Sequence, residues 1–555
     1  MERPWLAHYP EGVDARLPET SYRSLADIFE EAFASYRDRP AYFFMGLTMS
    51  FGEFDRLSRD FAAYLQSIGL KKGDRIGLMM PNVPQYPVAV AGAARAGLTI
   101  VNTNPLYTPG ELTHQMKDSG ARAIVVLENM AATVAAARAK TDLEHVIVTT
   151  MGDCLPRPKR WIVNFVVRRV KKMVPAFDLP DAIPFSKALA KGKDLKLAPV
   201  TVAPEDAAVL QYTGGTTGVS KGAMLTHANI VANVLQSEMW NEPALRQRAE
   251  GEQTITVCAL PIYHVFGFTV NMMLSVRTGG ASILIPNPRD IPATLEAIKG
   301  FRFHSFPAVN TLFNAIARHP DAKTVDWSSL KLSVGGGMAV QAGTAERWKA
   351  LTGCAICEGY GLTETSPSAC CNPTNSTEYT GTIGVPIPST DLAILDEEGH
   401  HLKPGEPGEV AIRGPQVMAG YWNRPKDTAA VMAADGFFRT GDIGVMDETG
   451  VFRIVDRKKD MINVSGFNVY PNEVEDVVTQ MPGVLEAAAI AIPDENSGEA
   501  VKLFVVRDGE EIGEDDIKAY CRENLTGYKR PRVIVFRDEL PKSAVGKVLR
   551  RELRD

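Results

Sequence analysis

What the chain lacks narrows its class. Cysteine is scarce, seven in 555 residues. The number is odd and the spacing forms no framework, which argues against a disulfide-stapled secreted scaffold and fits a reduced, cytosolic compartment. Cys354 and Cys357 form a C-x-x-C, and Cys370 and Cys371 follow. No second C-x-x-C or spaced histidine pair accompanies them, so buried small residues are a simpler reading than a zinc site. A basic excess is missing too. The formal net charge is −6, which argues against a general nucleic-acid binder. The N-terminal MERPWLAHYPEGVD has no basic region followed by an apolar stretch, so no secretion leader is expected. No apolar run approaches ~18 residues, so no membrane-spanning helix is predicted. What is present is ordinary for a globular chain: 45% hydrophobic and 23% charged residues. At ~150 residues per domain the length allows roughly three or four folding units.

Residues 74–127 alternate between short apolar runs and helical patterns. Asp74 to Met80, Leu98 to Val101 and Ala123 to Leu127 read as strands; Pro81 to Ala96 and Gly110 to Ser119 read as helices. The alternation recurs at Ala281 to Ile285, Ile291 to Lys299 and Leu332 to Val334. It implies largely parallel sheets covered by helices, an α/β class. From Asp391 onward, short apolar runs separated by Gly, Pro and Asp indicate a small β region. Beyond the charged turn Asp456-Arg457-Lys458-Lys459-Asp460 a compact α+β unit is expected. Its first helix carries Val474, Val477, Val478 and Met481 on one face, after Pro471. Strands at 487–492 and 501–506 and a helix at 514–524 complete it.

The stretch YTGGTTGVSKG, Tyr212 to Gly222, has the composition of a phosphate cradle without the G-x-x-x-x-G-K-[ST] pattern. Ala207 to Gln211 reads as a strand entering it and Gly222 to Leu225 as another leaving it. Thr226 then caps a helix bearing Ile230, Val231, Val234 and Leu235. The loop therefore joins two extended segments. Glycine lets backbone N–H groups turn toward an anion, and the threonine hydroxyls and Lys221 add donors. Taken alone, a flexible hairpin turn explains it equally well.

It does not stand alone. GYGLTET (Gly359 to Thr365), RTGD (Arg439 to Asp442), DRKKDMI (Asp456 to Ile462), SGFNVYPNEVE (Ser465 to Glu475) and PKSAVGK (Pro541 to Lys547) follow in that order. Together they resemble the adenylate-forming enzymes: acyl-CoA synthetases, luciferases and peptide-synthetase adenylation domains. The stretch from DGFFRTGD to NEVEDVV is most similar to bacterial long-chain fatty acid–CoA ligases. The resemblance implies a large N-terminal domain, 1–455, with ATP and acyl sites, and a small mobile C-terminal domain, 456–555. It also implies acyl-AMP and pyrophosphate formation from ATP and a carboxylate, then displacement of AMP by a thiol, usually coenzyme A.

By matching positions, the resemblance implies a site. Thr213, Gly214, Gly215, Thr216, Thr217, Gly218 and Lys221 would hold the β- and γ-phosphates, with Thr217 and Lys221 assisting catalysis. Thr213 and Glu364 would assist Mg²⁺, which favours hard oxygen ligands. Tyr360 would stack on adenine, with Gly336, the Glu358-Gly359 backbone and Thr363 nearby. Asp442 would accept from the ribose hydroxyls, supported by Arg457. Lys547 would bridge the carboxylate and the α-phosphate from a small-residue loop that suits a mobile finger. Asp456 would be a hinge whose rotation withdraws Lys547 and brings Lys459, Ser465, Gly466 and Phe467 to the coenzyme A tunnel.

The acyl pocket is implied at His264, Phe268, Val309, Gly335 and Met338. His264 reads as an acyl gate or as a hydrogen-bonded core histidine. Pro261 to Asn271 contains no acid; an amino-acid substrate would need one for its ammonium group, so a plain acyl chain is expected. Residues 157–177, RPKRWIVNFVVRRVKKMVPAF, hold seven Lys/Arg and no Asp or Glu within Arg157 to Lys172. Trp161, Ile162, Phe165, Val166, Val170, Met173 and Val174 can share a helical face. That face would lie on an anionic membrane or pack on its own domain; the pattern fits both. The expected partners are fatty acid, ATP and coenzyme A, with a peripheral membrane contact and a homodimer as open options. The expected function is long-chain fatty acid–CoA ligation. Medium-chain or aryl acid ligation, a stand-alone acyl-AMP ligase, or a non-enzymatic fatty-acid-binding or membrane-tethering protein are the rivals.

Overall fold

The computed structural model describes residues 2–213, 220–249, 251–465, 467–494, 497–509, 512–543 and 546–554. Among them, two large sheets form the body. One has eight strands, in spatial order Gly420–Tyr421, Lys221–Thr226, Ala207–Thr213, Thr99–Asn102, Arg75–Met79, Ala121–Leu127, His145–Thr149 and Ile183–Pro184. Its pairs are parallel from Ala207–Thr213 to Ile183–Pro184 and antiparallel at the other edge. The second has nine strands, built around the parallel set Ala281–Leu284, Ile255–Cys258, Ser305–Ala308, Leu332–Gly335 and Ile356–Gly361.

These strands follow from the sequence. ARAIVVL at Ala121–Leu127 is apolar almost throughout because helices cover both faces, leaving no side for polar residues. The intervening helices carry their own start and stop signals. In Pro109–Ser119, Thr108 and Glu111 cap each other's backbone N–H groups at 3.3 and 2.8 Å, and Gly120 ends the helix at φ 62°. Both sheets and their helices contribute to one large apolar cluster, which includes Phe29, Phe54, Phe61 and Phe185. A second forms around Phe306, Phe313, Trp327 and Trp348.

The β region expected after Asp391 is a four-stranded antiparallel sheet: Asp391–Leu395, Gly408–Arg413, Phe438–Met446 and Phe452–Arg457. Asp456 and Arg457 differ from the sequence reading in one respect. They belong to this last strand rather than to a charged turn, because Asp442↔Arg457 and Ile443↔Asp456 pair in register. Beyond them, Val484–Asp494 and Gly498–Arg507 form a long hairpin with Val533–Arg537 parallel at its side. The helices Pro471–Thr479 and Glu514–Asn524 close its core, with Val474 and Val478 fully buried.

Candidate active site

The Gly/Thr loop is indeed a hairpin connection. Ala207–Thr213 and Lys221–Thr226 pair antiparallel, with Thr213 opposite Lys221. Gly214, Gly215, Thr216, Thr217, Gly218 and Val219 lie outside the described residues, so the cradle is known from its flanks. Ser220 Oγ donates to the Thr213 carbonyl at 2.6 Å, and the Ser220 carbonyl lies 2.9 Å from His114 Nε2. Thr226 caps the following helix, His227–Leu245, by accepting from the Asn229 N–H at 3.1 Å. The Lys221 ammonium is 3.2 Å from Asp427 and 5.4 Å above the Tyr421 ring. The Asp427 pair is partly exposed, worth only about 0–1 kcal/mol, so phosphate oxygens can replace it at little cost.

Tyr421 connects this lysine to Glu364. Its hydroxyl donates to Glu364 Oε1 at 2.8 Å. Glu364 sits in the short turn Thr363–Thr365 and is buried. Burial raises its pKa, against the phenol's bond and Arg457. A buried carboxylate held by one phenol suits a cation arriving beside it. Among the described residues no group of three His, Cys, Asp or Glu forms a metal cage. Glu364 is a carboxylate that could meet a hard divalent ion brought in with a nucleotide.

Tyr360 and Asp442 meet directly. The Tyr360 hydroxyl donates to Asp442 Oδ2 at 2.6 Å, and Arg457 Nε lies 3.2 Å from Oδ1. Tyr360 comes from the strand Ile356–Gly361, whereas Asp442 and Arg457 face each other on the four-stranded sheet. At Gly336 a Cβ would come within 3.0 Å of the Phe266 ring and 3.3 Å of the Gly359 carbonyl. The glycine therefore keeps these three segments close. The Glu358 side chain has no cationic partner among the described residues. Its Oε1 accepts from Val340 N–H at 3.1 Å, and burial pushes its pKa up to about 8.

Lys547 is docked. Rather than standing free, its loop rests against the large N-terminal part: a Cβ at Gly546 would meet Thr311 Oγ1 at 2.5 Å and Val309 at 3.4 Å. Arg289 Nη2 donates to the Ser543 carbonyl at 2.9 Å, and Arg318 pairs with Asp508. Desolvation, then Arg457, push the Lys547 pKa down to about 8, while Asp442 opposes them. His264 is held neutral: burial and the neighbouring Lys547 push its pKa down to about 4. Lys547, His264, Asp442 and Arg457 thus share one electrostatic neighbourhood.

Phe268 lies in the π-helical segment Gly267–Met273, fully buried in the first core cluster, while Val309 and Met338 belong to the second. Gly335 has no room for a side chain, with Val340 at 2.5 Å from a would-be Cβ. The proposed thiol-step residues are not gathered here. Phe467 is exposed and stacks on Tyr528 at 4.7 Å. Ser465 is exposed and donates its N–H to the Ser497 carbonyl at 2.8 Å, and Gly466 lies outside the described residues. Lys459 is exposed, with its pKa lowered by partial desolvation. Tyr421, Asp427, Thr311 and Arg289 were missed by the sequence reading. They are far from their partners in sequence and carry no motif.

Residues 29–422 match the family described as AMP-binding enzyme, and residues 473–547 match the AMP-binding enzyme C-terminal domain. The chain belongs to the AMP-binding enzymes. This AMP-binding enzyme is 52% identical to the long-chain-fatty-acid–CoA ligase of Escherichia coli O157:H7, over 100% of this chain and 98% of that one. It is 38% identical to the ligase of the same name from Bacillus subtilis over the same shares. Among solved structures, ATP-bound MatB from Rhodopseudomonas palustris matches with a TM-score of 0.80 at 29% identity, covering 95% of this chain and 98% of that one. The anthranilate CoA ligase AuaEII with anthranoyl-AMP gives 0.83 at 26%, covering 96% and 97%.

Proposed function

We infer that the chain is an ATP-dependent long-chain fatty acid–CoA ligase that forms acyl-AMP and pyrophosphate, then acyl-CoA and AMP. The observation that carries this is the seating of Lys547 beside His264 and the Asp442–Arg457 pair. Full-length identity to ligases of that name supports the substrate class. A carboxylate attacking a polyanion needs its repulsion screened and both reactants held in line. Lys547 would neutralise charge between the carboxylate and the α-phosphate. Asp442 and Tyr360 would hold the nucleoside, and Lys221 with the hairpin loop would hold the departing pyrophosphate. Mg²⁺ bound by Glu364 and Thr213 would supply Lewis-acid charge at the phosphates. Neutral His264, with no acid in Pro261–Asn271, suits an uncharged acyl tail. The test is fatty-acid-dependent pyrophosphate release in wild type and Lys547→Ala. A variant that keeps adenylation would contradict the role given to the lysine.

The thiol step needs an arrangement different from the one described, because Phe467 and Ser465 are exposed. A rotation near Asp456, exchanging one face of residues 456–555 for another, would bring Lys459, Ser465, Gly466 and Phe467 inward.

A peripheral contact with anionic membrane is favoured by the segment 157–177. Its protein-facing residues are Val163, Asn164 and Val167: Asn164 bonds to Gly152 and Thr150, and Val167 is buried. Trp161, Ile162, Phe165, Val170 and Met173 are instead 51–63% exposed. Arg160 and Arg168 pair at 2.7 Å with the buried Asp153 and Glu128. Arg157, Lys159, Arg169, Lys171 and Lys172 have no acidic partner among the described residues. Exposed aromatic and apolar side chains beside unpaired cations match an anionic interface, each cation adding about 1 kcal/mol. Changing those five cations to Gln should abolish co-sedimentation with anionic liposomes; undiminished binding rejects the contact.

A further inference from the structure

Arg550, three residues after Lys547, is closely surrounded by polar groups. Its Nη2 donates to Asn472 Oδ1 at 2.7 Å and to both Glu475 oxygens at 2.8 and 2.9 Å. Those partners lie on the helix Pro471–Thr479, so this side of the guanidinium is fixed within the C-terminal unit. Its Nη1 faces the other way, 3.7 Å from Asp456 and 3.6 Å from Asp460. Asp456 is fully buried at the end of the four-stranded sheet. Its oxygens accept from the Arg457 and Asn472 N–H groups at 2.6 and 2.8 Å. A buried carboxylate needs a cation close by, and Arg550 is the charge that most opposes the desolvation of Asp456.

The chain between Lys547 and Arg550 is short. Three residues reach at most about 10–11 Å, so fixing Arg550 limits where Lys547 can go. The segment also has an apolar anchor of its own. Val548 and Leu553 pack with Ala488, Ile490 and Phe504, so the fold there does not depend on the guanidinium alone.

Resting on the ligase reading above, we propose that Arg550 is a positioning residue for adenylation. It ties the Lys547 loop to the strand end at Asp456 and so keeps the lysine seated beside His264. Glu475 and Asn472 carry Arg550 as the C-terminal unit moves. The contact with Asp456 breaks when the unit turns for the thiol step, together with the Asn472 N–H bond to the same carboxylate.

The test separates the half-reactions in Arg550→Gln and Arg550→Lys. Removing hydrogen bonds to charged groups predicts at least about a tenfold loss of pyrophosphate release in Arg550→Gln. Thioester formation from supplied acyl-AMP should change by less than about threefold. Arg550→Lys keeps the charge and loses the fork toward Glu475, so it should recover part of the adenylation rate. Asp456→Asn should add little further loss of adenylation in the Arg550→Gln background. Equal losses in both half-reactions, or none, would overturn the proposal, and if Arg550→Gln does not fold the same comparison is read from Arg550→Lys. No pyrophosphate release from wild type would instead defeat the underlying ligase reading.

Discussion

The role proposed for Lys547 requires a cation, and its surroundings work against that. Desolvation and Arg457 bring its pKa to about 8, so the free enzyme loses the working ammonium as pH rises through that value. The ratio kcat/KM for adenylation should fall above pH about 8. The kcat limb should lie higher, since bound phosphates favour the charged lysine. Lys547→Ala should lose adenylation by about a hundredfold or more, the scale of a missing charge stabiliser. Stopped assays of each half-reaction across pH check both statements. Tyr421 is a residue-scale partner that no motif announced. Tyr421→Phe removes the bond to Glu364 and should raise the Mg²⁺ concentration needed for half-maximal pyrophosphate release by about tenfold. An unchanged Mg²⁺ requirement would separate Glu364 from the metal. At this scale the sequence showed which residue types could act. It could not show Tyr421, because only folding brings Gly420–Tyr421 to the sheet edge beside Lys221–Thr226.

At the scale of elements, periodicity and turn chemistry carried most of the information. The strands flanking the phosphate loop, the cap at Thr226 and the helix after Pro471 all fall where apolar spacing and capping residues put them. What periodicity leaves open is direction. It grouped Trp161, Ile162, Phe165 and Val170 on one face without saying whether that face turned inward. The structure turns it outward, on the helix Lys159–Phe165 and the π-helical turn Val166–Val170. Gly361 tests the elements near Glu364. A Cβ there would lie 1.8 Å from the Pro367 carbonyl, a backbone atom that has no side-chain freedom. Gly361→Ala should therefore destabilise the protein by about 2 kcal/mol, read from denaturant melts, as overpacking does. It should also weaken nucleotide binding through Tyr360.

Across the whole molecule, the described arrangement suits the first of the two proposed steps. Gly546 against Thr311, Arg289 on Ser543 and Arg318 with Asp508 dock the C-terminal unit with Lys547 inward. Phe467 meanwhile lies on the outside. The order of motifs made the chemistry legible in the sequence, yet which face lies inward depends on contacts between segments 190 or more residues apart. No helix among the described residues is long and apolar enough to cross a membrane; the proposed lipid contact rests on the surface segment 157–177 alone. The most direct measurement of the central claim is coenzyme A-dependent AMP release across a series of acids from short to long chain. The account predicts AMP release that needs both acid and coenzyme A and is greatest with long-chain fatty acids. Release only with short or aromatic acids, or none at all, would contradict it.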